Sequence, residues 1–300
     1  MLNEIAQKLL QIVGGTADVM NSTYAYIKEG GNFNTGNRRG RNIHFGVREH
    51  AMGAICNGIA LYEDFLPFCS TFLSFANYML PSIRLAAMMK LPVMYFFTHD
   101  SLFVGQDGPS HQPIEQLAQL RSIIGLNVFR PCDANELIAG YQTILSNNVP
   151  TAFILSRQDM PIVDGSFKDA LQGGYVIRPA KKTAEVVLYA TGSEVRLALD
   201  VADELAKKYD VSVVSMPCIE IFENQSTIYK NKVLQQDAKL RVAIEASNDQ
   251  IWHKYIGDDG LHICINAYQG SGDGALVYSK AGFNCKEILR QINKKLTQLK

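Results

Sequence analysis

Three stretches of this sequence gather residue types able to bind, polarise or move protons, and each follows an apolar run of strand character. The first is VREHAMGA, where Arg48, Glu49 and His50 precede small residues that suit a helix start. The second is THDSLFVGQDGPSHQPIE, which places His99, Asp100, Asp107 and His111 with Gly105, Gly108 and Pro109 in a single loop after PVMYFF. The third is SRQ, carrying Arg157, at the end of TAFIL. In α/β sheets ligands collect beyond the carboxyl ends of the strands, where all three stretches fall. Imidazoles and carboxylates in one loop can donate, accept and transfer protons, and glycines there allow close backbone approach to a ligand.

Taken singly, each residue has an ordinary reading. Glu49 at a strand-to-helix junction suits a carboxylate that stabilises exposed helix amides. Phe72, Phe75 and Tyr78 recur every third residue, which puts them on one helical face and suits core packing. Asp18 after Gly14-Gly15 is of the type found in turns and caps, and Arg157 could form a surface ion pair of little energetic weight. The density of the second loop sets it apart from any of its members.

The elements that must hold these residues follow from the pattern of apolar runs. NIHFGV, AMGAICNGIALY, PVMYFFTHD, PIEQLAQLRSI, NVFRPC, NELIAGYQTIL and TAFILS alternate strand-like and helical patterns. That alternation predicts an α/β fold with a mostly parallel sheet flanked by helices. Gly, Pro and Lys interrupt it around DGSFKDALQGGYVIRPAKKTAE, so a first domain over 1–163, a connector over 164–184 and a second, smaller α/β domain over 185–300 are expected. EVVLYATGSE, VRLALDVADELAKKY, VSVVSMP and RVAIEAS supply the second alternation. The opening MLNEIAQKLLQIV reads as an amphipathic surface helix and not a signal peptide.

With 29 basic and 29 acidic residues and no block of like charge, the chain lacks the electrostatic footprint of a nucleic-acid binder. Its six cysteines are scattered without a C-x-x-C pair, which suits a reducing cytoplasm and argues against zinc or thiol redox chemistry. No apolar run is long enough to span a membrane. Gly192-Ser193-Glu194 follows a strand, and Gly272-Asp273-Gly274 reads as a turn.

The string GQDGPSHQP resembles the transketolase signature, and the whole of THDSLFVGQDGPSHQPIE is similar to that family. The likeness runs from GGTADV through FGVREHAMGAICNGIA, TFLSFANY, FRPCDANE and LSRQ into VVSMPCIEIF and HKYIG, so it covers essentially the whole chain. It implies a pyrimidine-binding domain followed by a transketolase C-terminal domain, with thiamine diphosphate as cofactor. Glu49 would be the carboxylic acid that hydrogen-bonds the aminopyrimidine ring, a task that calls for dry surroundings, so Glu49 is expected at a buried interface. Phe72, Phe75 and Tyr78 would form the aromatic pocket around that ring, with Asp18 near the cofactor's pyrimidine end. Ser22, His99, Asp107, His111 and Arg157 would bind a sugar phosphate, Arg157 at the phosphate, while His99 and His111 would also manage protons.

The resemblance further implies that a Mg or Ca ion and the diphosphate are held by a preceding domain or subunit. A second phosphate-binding arginine is expected just before the segment at Leu2. The chain is therefore expected to be half of a ketol-transferring enzyme, a natural split subunit or a truncated piece, inactive alone and at least homodimeric. A noncatalytic assembly or regulatory subunit is the alternative. Dihydroxyacetone synthase and deoxyxylulose phosphate synthase share the acidic residue, but the full GQDGPSHQP string and Arg157 point to ketol transfer.

Overall fold

The structure, a computed structural model, describes residues 1–165 and 167–299. Strands β1 (Ile12–Thr16), β2 (Asn42–His44), β3 (Leu66–Phe72), β4 (Met94–Thr98), β5 (Asn127–Phe129) and β6 (Thr151–Ile154) form one sheet in the order β2-β1-β3-β4-β6-β5. Every pairing in it is parallel. A parallel sheet needs helices on both faces, so its strands must be apolar on both sides. Period-two alternation meets that need: Cys69, Tyr95, Phe97, Ala152 and Ile154 face one core layer, and Phe68, Met94, Phe96 and Phe153 face the other.

The second sheet comprises β7 (Tyr175–Arg178), β8 (Val186–Ala190), β9 (Val211–Ser215), β10 (Leu240–Ile244) and β11 (Leu261–Ile263), in the order β11-β10-β8-β9-β7. It is parallel except for β7, which runs antiparallel to β9 at one edge. Again the alternation divides the core, with Val186, Leu188 and Ala190 on one side and Val187 and Tyr189 on the other.

Two local expectations differ from the structure. The opening helix covers only Leu2–Lys8, because Ile12 and Val13 pair with Leu66 and Pro67 as the start of β1. The stretch 164–184 also contains more than a connector, since it carries the helix Phe167–Ala170 and all of β7. Its glycines, which suggested a break, permit tight packing: a Cβ on Gly173 would lie 2.4 Å from the Cys218 carbonyl oxygen.

Gly14 and Gly15 decide how closely β1 approaches its neighbours. A Cβ on Gly14 would lie 1.9 Å from the Phe68 carbonyl oxygen, and one on Gly15 would lie 1.8 Å from that of Ile43. Because the obstacle is backbone on both sides, no rotamer change relieves it. Gly15→Ala is expected to lower stability by about 3 kcal/mol, seen as a drop in the urea midpoint. Gly58→Ala, on the helix Glu49–Leu61 where an added Cβ meets nothing within 4 Å, should instead raise it by about 0.5–1 kcal/mol.

Candidate active site

The carboxyl ends of β1, β2, β3, β4 and β6 deliver all ten residues singled out in the sequence to one edge of the first sheet. Asp18 and Ser22 follow β1, Glu49 opens the helix after β2, and Phe72 ends β3. Phe75 and Tyr78 lie on the turn after it, His99, Asp107 and His111 follow β4, and Arg157 follows β6.

The segment Leu73–Met79 winds as a 3-10 helix. Residues three apart eclipse in that geometry, so Phe72, Phe75 and Tyr78 stand one above another. Phe72 and Phe75 stack at 5.8 Å between ring centroids, and Phe75 and Tyr78 lie 6.1 Å apart. The expectation of a shared helical face holds, but the face is not core. Tyr78 is 65% exposed, and the ladder of rings runs from the buried sheet end to the surface.

His99 and His111 meet this ladder. The His99 ring lies 3.9 Å from Phe72, and the His111 ring approaches Phe75 edge-on at 5.2 Å. The Thr98 hydroxyl shares a 2.9 Å hydrogen bond with Nδ1 of His99, and the Ser110 hydroxyl does the same for His111. His99 and Asp18 both adopt left-handed backbone, each with φ of 64°. Such conformations cost on the order of 1–3 kcal/mol and persist where surrounding contacts over-determine them.

Burial, followed by the positive field of Arg157, holds the His99 imidazole down at about 4, with His111 acting in the same sense and Asp107 opposing. The structure therefore groups Asp107 and Arg157 electrostatically with the two histidines. His99 is neutral at neutral pH, with one ring nitrogen able to donate and the other to accept.

Asp18, Ser22 and Glu49 reach the same sheet edge but do not join the aromatic cluster through any ring contact. Their side chains make no hydrogen bond or ion pair with the described residues, and the same is true of Asp107 and Arg157. Glu49 is half-buried, so this chain alone does not provide the dry surroundings expected for it.

The loop glycines also serve the contact between the two domains. Gly105 and Gly108 lie against the second domain, where added Cβ atoms would come within 3.1 Å of the Gly272 carbonyl oxygen and 2.2 Å of the Ser271 hydroxyl. Gly272-Asp273-Gly274 is correspondingly more than a turn: Asp273 accepts a hydrogen bond from the Leu276 amide and caps the helix Gly274–Lys280 that packs on this loop. The largest omission is Arg130. It is fully buried directly after β5, where it bridges Asp100 of the loop to Glu194 of the second domain. The signals were a basic residue at the end of an apolar strand and the Gly192-Ser193-Glu194 turn, which had suggested no partner.

The aromatic ladder, the two imidazoles and the open carboxylate thus share the strand-end edge of the first sheet in a two-domain α/β protein. Residues 1–163 match the family described as transketolase, pyrimidine binding domain, and residues 173–284 match the transketolase-like TK C-terminal domain. The chain belongs to the transketolase family. It is 44% identical over 294 residues to the transketolase of Halalkalibacterium halodurans, covering 96% of this chain and 44% of that protein. The solved transketolase of Campylobacter jejuni superposes with a TM-score of 0.92 at 38% identity, over 98% of this chain and 45% of that one. A Pichia stipitis transketolase in complex with sedoheptulose-7-phosphate gives 0.93 at 33% identity, over 99% and 44%. The chain thus spans less than half the length of these relatives and corresponds to their C-terminal portion.

The depressed His99 has a consequence for stability. Because its folded-state value lies below the ordinary 6.5, the unfolded chain binds the extra proton more readily, and the fold weakens as pH falls from about 6.5 towards 4. His99→Asn, which tolerates positive φ, should flatten that decline. Urea midpoints measured at pH 7 and pH 4.5 should differ less in the variant than in the parent chain.

Proposed function

We propose that this chain forms the pyrimidine-binding and C-terminal part of an enzyme that moves a two-carbon ketol unit from a ketose phosphate to an aldose phosphate with thiamine diphosphate. The observation that carries this reading is the ladder Phe72–Phe75–Tyr78 with His99 and His111 against it, beside the unpartnered Glu49 and Arg157. Offset and edge-on ring faces suit a flat aminopyrimidine, and the free carboxyl of Glu49 suits a ring nitrogen. When bound, the cofactor supplies the carbon nucleophile that the protein lacks.

The chain's own groups do the rest. Glu49 holds the pyrimidine nitrogen by a hydrogen bond, which requires a covering surface over its half-buried position. A second copy of the chain in a homodimer supplies that surface. Neutral His99, together with His111, orients the sugar and passes protons at the carbon being cleaved or joined. Asp107 and Ser22 take sugar hydroxyls, and the exposed Arg157 guanidinium forks onto the phosphate. The complex of the Pichia stipitis relative with sedoheptulose-7-phosphate supports a sugar phosphate as the substrate class. Asp18 lines the pyrimidine end. The diphosphate and its Mg or Ca ion are assigned to a separate preceding domain, so the chain alone is inactive. Among the described residues no helix is long and apolar enough to cross a membrane.

The test combines the chain with a transketolase diphosphate-binding domain and assays ketol transfer. Activity should appear only in the mixture, and Glu49→Gln should lower kcat by about 100-fold or more. A mixture that binds cofactor yet transfers nothing would sink the reading. In the active assembly, Arg157→Ala should raise KM for the phosphorylated substrate by about 10- to 100-fold with little change in kcat, as expected for loss of a charged hydrogen bond worth about 1.5–3 kcal/mol.

A further inference from the structure

The second sheet has its own strand-end crevice. Strand order reverses about β8, since β9 lies on one side of it and β10 on the other. A ligand would ordinarily sit beyond the carboxyl ends of β8 and β10. Here the place is filled by two arginines of the first domain. Arg121 donates to Glu245 through its Nη1 and Nη2 at 3.0 and 2.8 Å, and to Asp249 through Nη1 at 2.7 Å. Arg130 enters the turn after β8, giving hydrogen bonds to the Thr191 carbonyl at 3.1 Å and hydroxyl at 2.9 Å, and pairing with Glu194.

From there Arg130 reaches back to the candidate active site. Its Nε and Nη2 both donate to one oxygen of Asp100, at 3.2 and 2.8 Å. Apart from a 3.5 Å contact from the Ser193 hydroxyl, the Asp100 carboxylate has no other hydrogen-bond partner among the described residues, and its second oxygen is buried without one. Asp100 adjoins His99, whose left-handed backbone needs fixed neighbours. Glu194 is itself held by the Tyr278 hydroxyl at 2.5 Å, the Ser193 hydroxyl at 2.8 Å and the Ala246 amide at 3.1 Å. A rigid chain of contacts therefore runs from the second domain to the histidine.

We propose that the second domain is a positioning unit for the His99 loop, and that Arg130 is the positioning residue that transmits its hold through Asp100. The crevice of the second domain is then not a separate small-molecule site, because its donors and acceptors are committed to the first domain. The catalytic meaning of this arrangement rests on the role given to His99 above. The positional claim does not.

Gly192 offers a way to disturb Arg130 from the second domain alone. Its φ is 53°, and an added Cβ would lie 2.7 Å from Arg130 Nε. Arg130→Lys keeps the charge but loses the planar fork. Asp249→Asn weakens the neighbouring Arg121 contact in the same interface and serves as a control. The measurement is the His99 titration by NMR on the full chain, without cofactor or substrate, with the signal assigned by its loss in His99→Asn. Arg157, Asp107 and His111 act on the ring and, like the adjoining Asp100, are retained in every variant, so a shift reports movement of the loop.

Gly192→Ala and Arg130→Lys should raise the midpoint from about 4 by at least about one pH unit towards the ordinary 6.5, while Asp249→Asn leaves it in place. An unmoved midpoint in folded variants, or an equal shift in Asp249→Asn, overturns the proposal. If one variant does not fold, the other is judged by the same criterion. If neither folds while Asp249→Asn does, Arg130 has a structural role only and the proposal fails. None of these outcomes depends on whether the assembled protein transfers ketol units.

Discussion

A guanidinium sealed between two domains, with carboxylates on either side, is the interaction on which the rest of this molecule depends. Arg130 has no exposed surface, so its charge must be matched inside the protein. Asp100 provides one match from the first domain and Glu194 the other from the second. Burying such groups carries a desolvation cost of several kcal/mol per ion. The pairing offsets it only when all partners are in place, since removing one leaves a buried charge uncompensated at a cost of about 3–5 kcal/mol. Such a network adds little stability relative to an apolar contact of equal size, but it admits few alternative arrangements. Here its fixed geometry lies one residue from the histidine that stands on the aromatic ladder.

Around this centre the two sheets meet through backbone as much as through side chains. Gly105 and Gly108 of the His99 loop close against Ser271, Gly272 and Gly274, and Gln112 exchanges hydrogen bonds of 3.1 and 2.7 Å with the Gln269 main chain. Behind the interface, Glu136 accepts from the Cys132 amide, the Tyr175 hydroxyl and the Ser215 hydroxyl. Burial pushes its carboxyl up from the usual value while these donors pull it back. Residues from β7 and β9 thus complete the environment of a first-domain helix start. The second domain contributes part of the scaffold that shapes the first domain's functional edge.

Much of this was legible from residue order. The apolar runs PVMYFF and TAFIL gave β4 and β6, and the dense loop between His99 and His111 marked the edge where the histidines meet the rings. Local pattern sufficed because strand ends and the three-residue spacing of Phe72, Phe75 and Tyr78 are short-range properties. What escaped was long-range. Arg130 and Glu194 are 64 positions apart, and neither has a local feature naming the other. The loop glycines were read as room for a ligand because sequence shows that backbone can approach something without showing what it approaches. β7 was hidden in a stretch rich in Gly and Lys, where its pairing with β9 outweighed weak local preference.

The tight winding of Leu73–Met79 limits how this edge can change over mutation. At three residues per turn the rings of Phe72, Phe75 and Tyr78 project in one direction. Relaxing the segment to 3.6 residues per turn would rotate each ring by about 60° relative to the previous one, fanning the ladder over about a third of a turn. A single inserted or deleted residue would have a similar effect, moving Tyr78 about a third of a turn away from Phe75. Point substitutions within the ladder can preserve its direction, but changes of length cannot. Length variation is therefore expected to spare these seven residues even where the flanking helix Leu80–Met89 tolerates it.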